Sequence, residues 1–163
     1  MGHLEDSGER REFESGAVRD IAEGKGRCDL LPLDIIGAYY NDYVLRSIGE
    51  FIIGGNEKLV GDVIKVFSYK MFPDVTECFA LTSALLEVSK HYEDGCKKYG
   101  ERNWEKGIPC HCFVDSAVRH YLKYLRGDTD ERHDRAFVWN LLGLLWTIAH
   151  HPELNDLPYN TKE

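Results

Sequence analysis

Apolar residues recur at helical spacing along most of this chain, and the strict alternation typical of strands is not evident. Ile36, Tyr40 and Val44, for example, follow one another at four-residue intervals. Glycine and proline residues interrupt the pattern and mark the ends of its segments. The pattern predicts helices over residues 33–53, 56–71, 75–99 and 113–126, and a last helix that follows residues 127–131 and ends near 149. We therefore expect an all-α fold, a bundle of about five helices.

Length and composition predict one globular domain. The chain has 163 residues, of which 43% are hydrophobic and 29% charged, as in ordinary folded proteins. Residues 1–15 are rich in charge and poor in apolar side chains, so we expect a mobile N-terminal arm there. Residues 16–152 form the predicted single domain, and residues 153–163 a short polar C-terminal tail.

Charge and cysteine content limit the possible partners and location. A net charge of −8 argues against a surface that binds polymeric nucleic acid, because phosphate backbones attract an excess of Lys and Arg. The five cysteines are odd in number, and the first residues lack the apolar segment of a signal peptide. No apolar run approaches the ~20 residues that cross a bilayer. We expect a soluble cytoplasmic protein with free thiols and no membrane partner.

The last predicted helix is apolar nearly all round over residues 136–149. Such a helix is buried either by the rest of the fold or by another subunit, so we expect self-association. Asn140 interrupts this apolar surface, and a buried amide without partners costs about 1–3 kcal/mol. Asn140 therefore needs a hydrogen-bond partner. The nearest candidates are His133, His120 and Lys123.

Two polar segments are candidates for contact with a phosphorylated ligand. Residues 24–27 place Lys25 and Arg27 on a glycine-rich backbone, although their spacing is not that of a P-loop. On the helix predicted over 75–99, His91 and Lys98 share one edge with two carboxylates. The loop is either a phosphate grip or simply solvated. The helix edge is either the wall of a ligand site or a solvated face with i,i+4 pairs.

Further candidates lie around the fourth predicted helix. Trp104 can stack on a base while the neighbouring Asn103 hydrogen-bonds, or it can close one end of the bundle. His120 and Lys123 lie at the border of the apolar stripe, whereas Arg119 points away from it. These residue types suit a polar site beside the core.

Three blocks of the sequence resemble one known family. They are G-A-V-R-D-I-A-E-G-K-G-R-C-D-L-L-P at 16–32, H-Y-E-D-G-C-K-K-Y-G-E-R-N-W-E-K-G at 91–107, and D-S-A-V-R-H-Y-L-K-Y-L-R-G-D-T-D-E-R-H with W-N-L-L within 115–142. They are similar to the phage-encoded dATP/dGTP diphosphohydrolases of the MazZ type, relatives of the all-α MazG-like nucleotide pyrophosphohydrolases. The blocks cover about half of the chain and leave out residues 33–89.

The resemblance implies a dimeric or larger MazG-like enzyme that uses Mg²⁺ or Mn²⁺. It implies hydrolysis of dGTP or dATP at the α–β linkage, which gives the nucleoside monophosphate and pyrophosphate. In phages that replace adenine by 2-aminoadenine, such an enzyme supplies dGMP and removes dATP in the host cytoplasm. The expected partner is thus a small nucleotide.

One departure from the family relatives affects the expected site. MazG-like enzymes carry E-E-x-x-E and E-x-x-D as metal ligands, and only the second motif occurs here, at Glu131 and Asp134. The residues expected to bind metal are Asp128, Asp130, Glu131 and Asp134; those expected at the reacting water are His120, Glu131 and His133; those expected to bind substrate are Lys25, Arg27, His91, Lys98, Asn103, Trp104, Arg119, Lys123 and Asn140.

Two alternative functions stay open at this point. The missing E-E-x-x-E favours a non-catalytic phage accessory module that binds a nucleotide or a protein. A zinc protein built on Cys110, His111 and Cys112 is the weaker alternative, because C-x-C lacks the usual spacing of zinc ligands.

Overall fold

A computed structural model describes residues 8–161 and confirms the all-α prediction. Two short strands precede a set of helices, and 3₁₀ turns connect several of them. The helices are α1 (Leu33–Tyr39), α2 (Tyr43–Gly54), α3 (Glu57–Met71), α4 (Glu77–Tyr99), α5 (Cys110–Arg126), α6 (His133–His150) and α7 (Pro158–Thr161). The strands are β1 (Arg10–Glu12) and β2 (Val18–Asp20), and the 3₁₀ turns span Cys28–Leu30, Asn103–Lys106 and Pro152–Leu154.

The helix predicted over residues 33–53 is in fact two helices, α1 and α2. The chain turns between them at Asn41, whose φ of 54° is left-handed, a conformation that Asn tolerates better than most residues. Asp42 then caps α2 by accepting a hydrogen bond from the Leu45 N–H at 2.9 Å. The apolar periodicity continues through this turn, and therefore it hid the break.

The β1–β2 hairpin is an element that the sequence pattern did not predict. Its strands have three residues each, too few for an alternating pattern to stand out. It includes residues 10–12 of the predicted N-terminal arm, which are paired with 18–20 and are therefore not a free arm. Residues 1–7 of that arm lie outside the described part of the chain.

The predicted C-terminal tail is also attached to the fold. Leu157 is buried in the core, and the ring of Tyr159 packs edge-on against Phe51 with centroids 5.7 Å apart. Buried apolar side chains after residue 152 thus hold this segment against α2. Residues 162 and 163 are not among the described residues.

Helix α6 lies at the centre of the fold, which explains its apolar surface. It packs against α3, α4 and α5, and Phe137 and Leu144 are completely buried. Gly143 permits the closest approach to α5, because a Cβ there would lie 2.5 Å from Phe113 Cε1. Burial within one chain accounts for the pattern that suggested another subunit, so self-association stays a prediction without that support.

In the part of the chain that the structure describes, no helix is both long and apolar enough to cross a membrane.

Candidate functional site

A pocket of about 630 Å³ lies between the β1–β2 hairpin and the helices α4, α5 and α6. Ten of the residues singled out in the sequence line it: Lys25, His91, Asn103, Trp104, Arg119, His120, Lys123, Asp130, Glu131 and Asn140. Sequence reasoning missed other lining residues, among them Arg11, Arg19, Asp20, Tyr92, Ser116 and Trp139. The pocket therefore brings together all three sequence blocks, which are far apart along the chain.

A cluster of two imidazoles and one carboxylate forms one side of this pocket. Nδ1 of His120 lies 2.9 Å from Nδ1 of His133, and the two nitrogens lie 3.3 and 3.6 Å from Oε1 of Glu131. His133 is 2% exposed and starts α6. His120 belongs to the last two turns of α5, and Glu131 lies in the connection between these helices. The short α5–α6 connection thus folds the cluster together.

Asp130 fixes the orientation and protonation of His133. Its carboxylate can only accept, so the His133 Nε2–H donates to Asp130 Oδ1, at 2.7 Å. Nδ1 of a neutral His133 is then an acceptor, and the Nδ1–H of His120 donates to it. Asp130, His133 and His120 form one hydrogen-bonded chain that ends in the pocket.

Burial shifts the titration of this cluster toward neutral groups. Desolvation, together with the neighbouring His133 and His91, holds the pKa of His120 well below its usual value. Burial raises the pKa of Glu131, and the hydrogen bond from His133 lowers the pKa of Asp130. A cation at the cluster would reverse the cost of ionising Glu131.

The cluster fits a divalent metal ion. His120, Glu131 and His133 form one group able to hold a metal, with donor atoms 2.9–3.6 Å apart. Neighbouring ligands around a small divalent ion, with bonds of about 2.0–2.2 Å, are separated by about 3.0–3.5 Å. The Asp130 contact to the far nitrogen of His133 is the bond that orients metal-binding histidines in other proteins.

Three of the four predicted metal ligands lie outside this cluster, and of these Asp130 contacts it through His133. Asp134 pairs with Arg132 at 2.8 Å in the first turn of α6 and accepts from the Arg135 N–H. Asp128 can join a second group with Asp130 and His133, but Arg126 Nε already donates to it at 2.7 Å. Glu131 precedes α6, so it does not share a helix face with Asp134 as E-x-x-D within a helix would.

Lys123 and Lys25 supply positive charge near the cluster. Lys123 Nζ lies 3.8 Å from Asp130, and the exposed Lys25 lines the same pocket. Desolvation lowers the pKa of Lys25. Arg119 holds this loop, because its guanidinium donates to the carbonyl of Gly26 at 2.8 Å and pairs with Asp115 at 2.6 Å. Arg119 therefore positions Lys25.

Arg27 and Lys98 do not line the pocket. Arg27 donates to Asp29 at 2.7 and 2.8 Å beside a different, smaller cavity. Lys98 bonds to Asp20 at 2.7 Å, and Asp20 is itself a lining residue. Neighbouring carboxylates thus engage both of these predicted phosphate ligands.

Aromatic rings form another part of the pocket wall. Tyr92 packs against Trp104 and Trp139 with centroids 5.6 and 5.8 Å apart, and all three rings line the pocket. His91 lies 5.7 Å from Trp139, and burial lowers its pKa to about 4. Flat apolar rings of this kind provide surfaces for a nucleobase.

The amide of Asn103 has a structural task. Its Oδ1 accepts from the Val18 N–H and its Nδ2 donates to the Val18 carbonyl, both at 2.8 Å. Both ends of the side chain are thus engaged with β2, as a neighbouring strand would be. Asn103 fixes the hairpin against the pocket and leaves base contact to the rings.

Asn140 has partners other than those expected. Its Oδ1 accepts from Arg19 at 3.0 Å, and its Nδ2 donates to the Ala136 carbonyl at 2.8 Å. The expectation of a bond to His133, His120 or Lys123 was wrong, because the unpredicted hairpin inserts Arg19 between the helices. The one sequence feature that could have pointed to Arg19 as a site residue was its place beside Asp20 in the first sequence block.

The cysteine and histidine residues 110–112 do not form a metal-binding group within residues 8–161. His111 instead pairs with Asp156, and that bond raises the pKa of His111 to about 10. Cys110 and Cys112 are buried free thiols. The arrangement gives the zinc interpretation no support.

These features define an all-α protein with a pocket suited to a phosphorylated, ring-containing ligand. The chain belongs to the dATP/dGTP diphosphohydrolase family: the model of its N-terminal part matches residues 71–157, more than half of the chain. This match covers α4, α5 and α6 but not the hairpin or Lys25. Neither a curated protein nor a solved structure matches the chain.

Proposed function

We propose that this protein is a metal-dependent diphosphohydrolase of purine deoxynucleoside triphosphates, with dGTP and dATP as substrates. The observation that carries the proposal is the cluster of His120, His133 and Glu131, which borders a pocket lined by both lysines and aromatic rings. The family membership supports the same class of substrate.

The proposed reaction is hydrolysis at the α–β linkage. The oxygen of water forms a bond to the α-phosphorus, and the bond from that phosphorus to the bridging oxygen breaks. The products are the deoxynucleoside monophosphate and pyrophosphate, which takes the electron pair of the broken bond, and the attacking water releases a proton to the solvent. Both products are anions, so the reaction needs positive charge around the phosphoryl oxygens.

The three cluster residues are the proposed metal ligands. A bound divalent cation neutralises charge on phosphoryl oxygens and lowers the pKa of a coordinated water. Two imidazole nitrogens and one carboxylate suit Mn²⁺ better than Mg²⁺, because Mg²⁺ prefers oxygen ligands throughout. Asp130 would keep His133 in the tautomer whose Nδ1 lone pair is available, and His120 would bind the ion in the tautomer that carries its proton on Nε2.

Other pocket residues provide binding and orientation. Lys123 and Lys25 lie where they can contact phosphoryl oxygens beside the cluster. Trp104, Tyr92 and Trp139 offer ring faces and edges to a purine. The preference for a purine then depends on the area of the aromatic wall.

The biological setting follows from the same proposal. A dGTP and dATP diphosphohydrolase controls nucleotide pools, and in a phage that uses 2-aminoadenine it would supply dGMP in the host cytoplasm. We propose a homodimer or higher oligomer with a single hydrolase domain, and its predicted bounds of 16–152 are too narrow, because residues 10–12 pair with β2 and Leu157 is buried in the core.

A panel of nucleoside triphosphates tests the proposal directly. The protein is incubated with each deoxynucleotide and ribonucleotide in the presence of Mn²⁺, Mg²⁺ or a chelator, and the products are resolved by anion exchange. We expect monophosphate and pyrophosphate from dGTP and dATP, faster with Mn²⁺ than with Mg²⁺ and absent with the chelator.

Two other outcomes would reject it. Diphosphate and orthophosphate as products would mean attack at a different phosphorus. No turnover of any nucleotide by folded protein would favour the nucleotide- or protein-binding accessory module instead.

A further inference from the structure

Arg11 and Arg19 are directly opposite each other in the β1–β2 hairpin. Cross-strand partners in an antiparallel pair project to the same face, and both of these side chains line the pocket. Like charges at such positions repel each other and destabilise the sheet. The hairpin therefore keeps an unfavourable pair on the face that meets the pocket.

No carboxylate within residues 8–161 forms an ion pair with either arginine. The neighbouring Arg10, by contrast, pairs with Asp20 at 3.3 Å. Arg11 Nε is one of two buried side-chain polar atoms without a hydrogen-bond partner in the described part of the chain. A buried donor of this kind calls for a partner that residues 8–161 do not provide.

Neutral groups hold Arg19 in place. Its Nη2 donates to Ser116 Oγ at 3.1 Å and to Asn140 Oδ1 at 3.0 Å. The guanidinium also lies over the rings of Phe113 and Trp139, at 5.5 and 5.7 Å from their centroids. These contacts orient the guanidinium but leave its charge without a counter-ion, and burial and Arg11 both lower its pKa.

The position of Arg19 relates it to the metal-binding cluster. Arg19 bonds to Ser116, which precedes His120 by one turn of α5, a backbone rise of about 6 Å along the helix axis. Both groups face the same pocket. A chain of phosphoryl groups that begins at the cluster can extend to the arginines.

We propose that Arg11 and Arg19 form a subsite for a phosphoryl oxyanion, the part of the triphosphate that leaves as pyrophosphate. The identity of this anion rests on the proposed function. The anion would lie between the two guanidinium groups. It would relieve their repulsion and accept a hydrogen bond from Arg11 Nε.

Calorimetric titration with inorganic pyrophosphate, in buffer with a chelator, tests the subsite without a metal ion or turnover. The variants are Arg11→Gln and Arg19→Gln, and the control is Arg10→Gln, which removes the same charge from the same hairpin. We expect each subsite variant to weaken binding about 10-fold or more, and the control to stay within about twofold of the wild type.

Thermal unfolding separates binding from structure. Removal of one repelling charge should leave the unfolding temperature of Arg11→Gln unchanged or raised, whereas a structural arginine would lower it. If Arg19→Gln fails to fold, Arg11→Gln decides the question, because Arg11 is not packed between Phe113 and Trp139.

Three results would overturn the subsite: no binding of pyrophosphate by the wild type at millimolar concentration, equal binding by all three variants, or loss of dGTP binding with pyrophosphate binding intact. The last result would assign Arg19 to the base. Weakened pyrophosphate binding in Arg11→Gln, with no hydrolysis by the wild type, would keep the subsite and reject the proposed function.

Discussion

Glu87 and Glu131 are both glutamates beside basic side chains, yet their surroundings differ in kind. Lys90 donates to Glu87 at 2.8 Å and Arg135 Nε at 3.0 Å, so the pKa of Glu87 falls to about 2, and Arg132 lies 3.5 Å away. Glu131 meets the buried imidazole of His133 and the half-buried imidazole of His120, and burial raises the pKa of Glu131. Basic side chains neutralise the carboxylate of Glu87, whereas the carboxylate of Glu131 lacks a full counter-charge.

This contrast separates a structural ion pair from a site. The cations around Glu87 satisfy it within the folded chain, so it contributes to stability and lies outside the pocket. Glu131 faces the pocket in a state that the fold alone does not favour, and a cationic ligand would complete it. Stability and function should therefore respond differently to changes in these two places.

The first prediction concerns metal affinity at Asp130. Asp130→Asn weakens the bond that orients His133, and we expect Mn²⁺ affinity to fall about 10- to 100-fold. Metal titration of the purified protein measures this, with Asp128→Asn as the control because Arg126 occupies that carboxylate. Equal losses in the two variants would show that the second metal group, which includes Asp128, is the one used.

The next effect concerns stability at Glu87. Glu87→Gln removes a half-buried charge with three cationic neighbours, and we expect the free energy of unfolding to drop by about 1–2 kcal/mol, with turnover unchanged. Chemical denaturation measures the drop.

Glu131→Gln is the counterpart of that variant. Because burial makes Glu131 costly to ionise, we expect the free energy of unfolding of Glu131→Gln to lie within about 0.5 kcal/mol of the wild-type value. We expect its turnover to fall at least about 100-fold, because the variant loses a proposed metal ligand. Asp134→Asn, the other member of the E-x-x-D motif, should keep its turnover. A stability loss in Glu131→Gln as large as in Glu87→Gln would remove the distinction between the two regions.

The smallest effect is a change in pH dependence. The pKa of His91 is about 4 in the folded protein and near 6.5 when unfolded, so the unfolded chain binds the additional proton between these values. Stability due to neutral His91 is therefore present above pH 6.5 and lost as the pH falls toward 4. We expect His91→Gln to flatten unfolding free energy over this range, and the exposed His150→Gln to leave the slope unchanged.

The sequence predicted the helical core well because each long helix buries its own periodic stripe. Helices α3, α4 and α6 begin within a few residues of their predicted starts. The last predicted helix is apolar nearly all round because it lies at the centre of the fold, where other helices surround it. The hairpin was missed, since its pairing depends on Asn103, which is 85 residues away from Val18 in the chain.

The candidate site shows the same division. Four of the ten predicted residues that line the pocket lie on the polar edges of α4 and α5, and the fold brings the others to them from the connections and from α6. Arg27, Asp128 and Asp134 were selected by type and spacing, and each has a charged partner within two residues that the pattern did not weigh. Arg11 and Arg19 were not selected, because the residues around them in the sequence do not show that they lack ion-pair partners in the folded protein.

The sequence by itself determined the helical class, the central apolar helix and the family, because these depend on periodicity and on local motifs. Tertiary structure alone decided which charges are neutralised and which stay available. Glu87 and Glu131 are the same residue type in the sequence. The packing of α4, α5 and α6 places Glu87 beside three cations and Glu131 beside the imidazoles of His120 and His133. Pairing energies depend on distance and burial, which the order of residues does not contain.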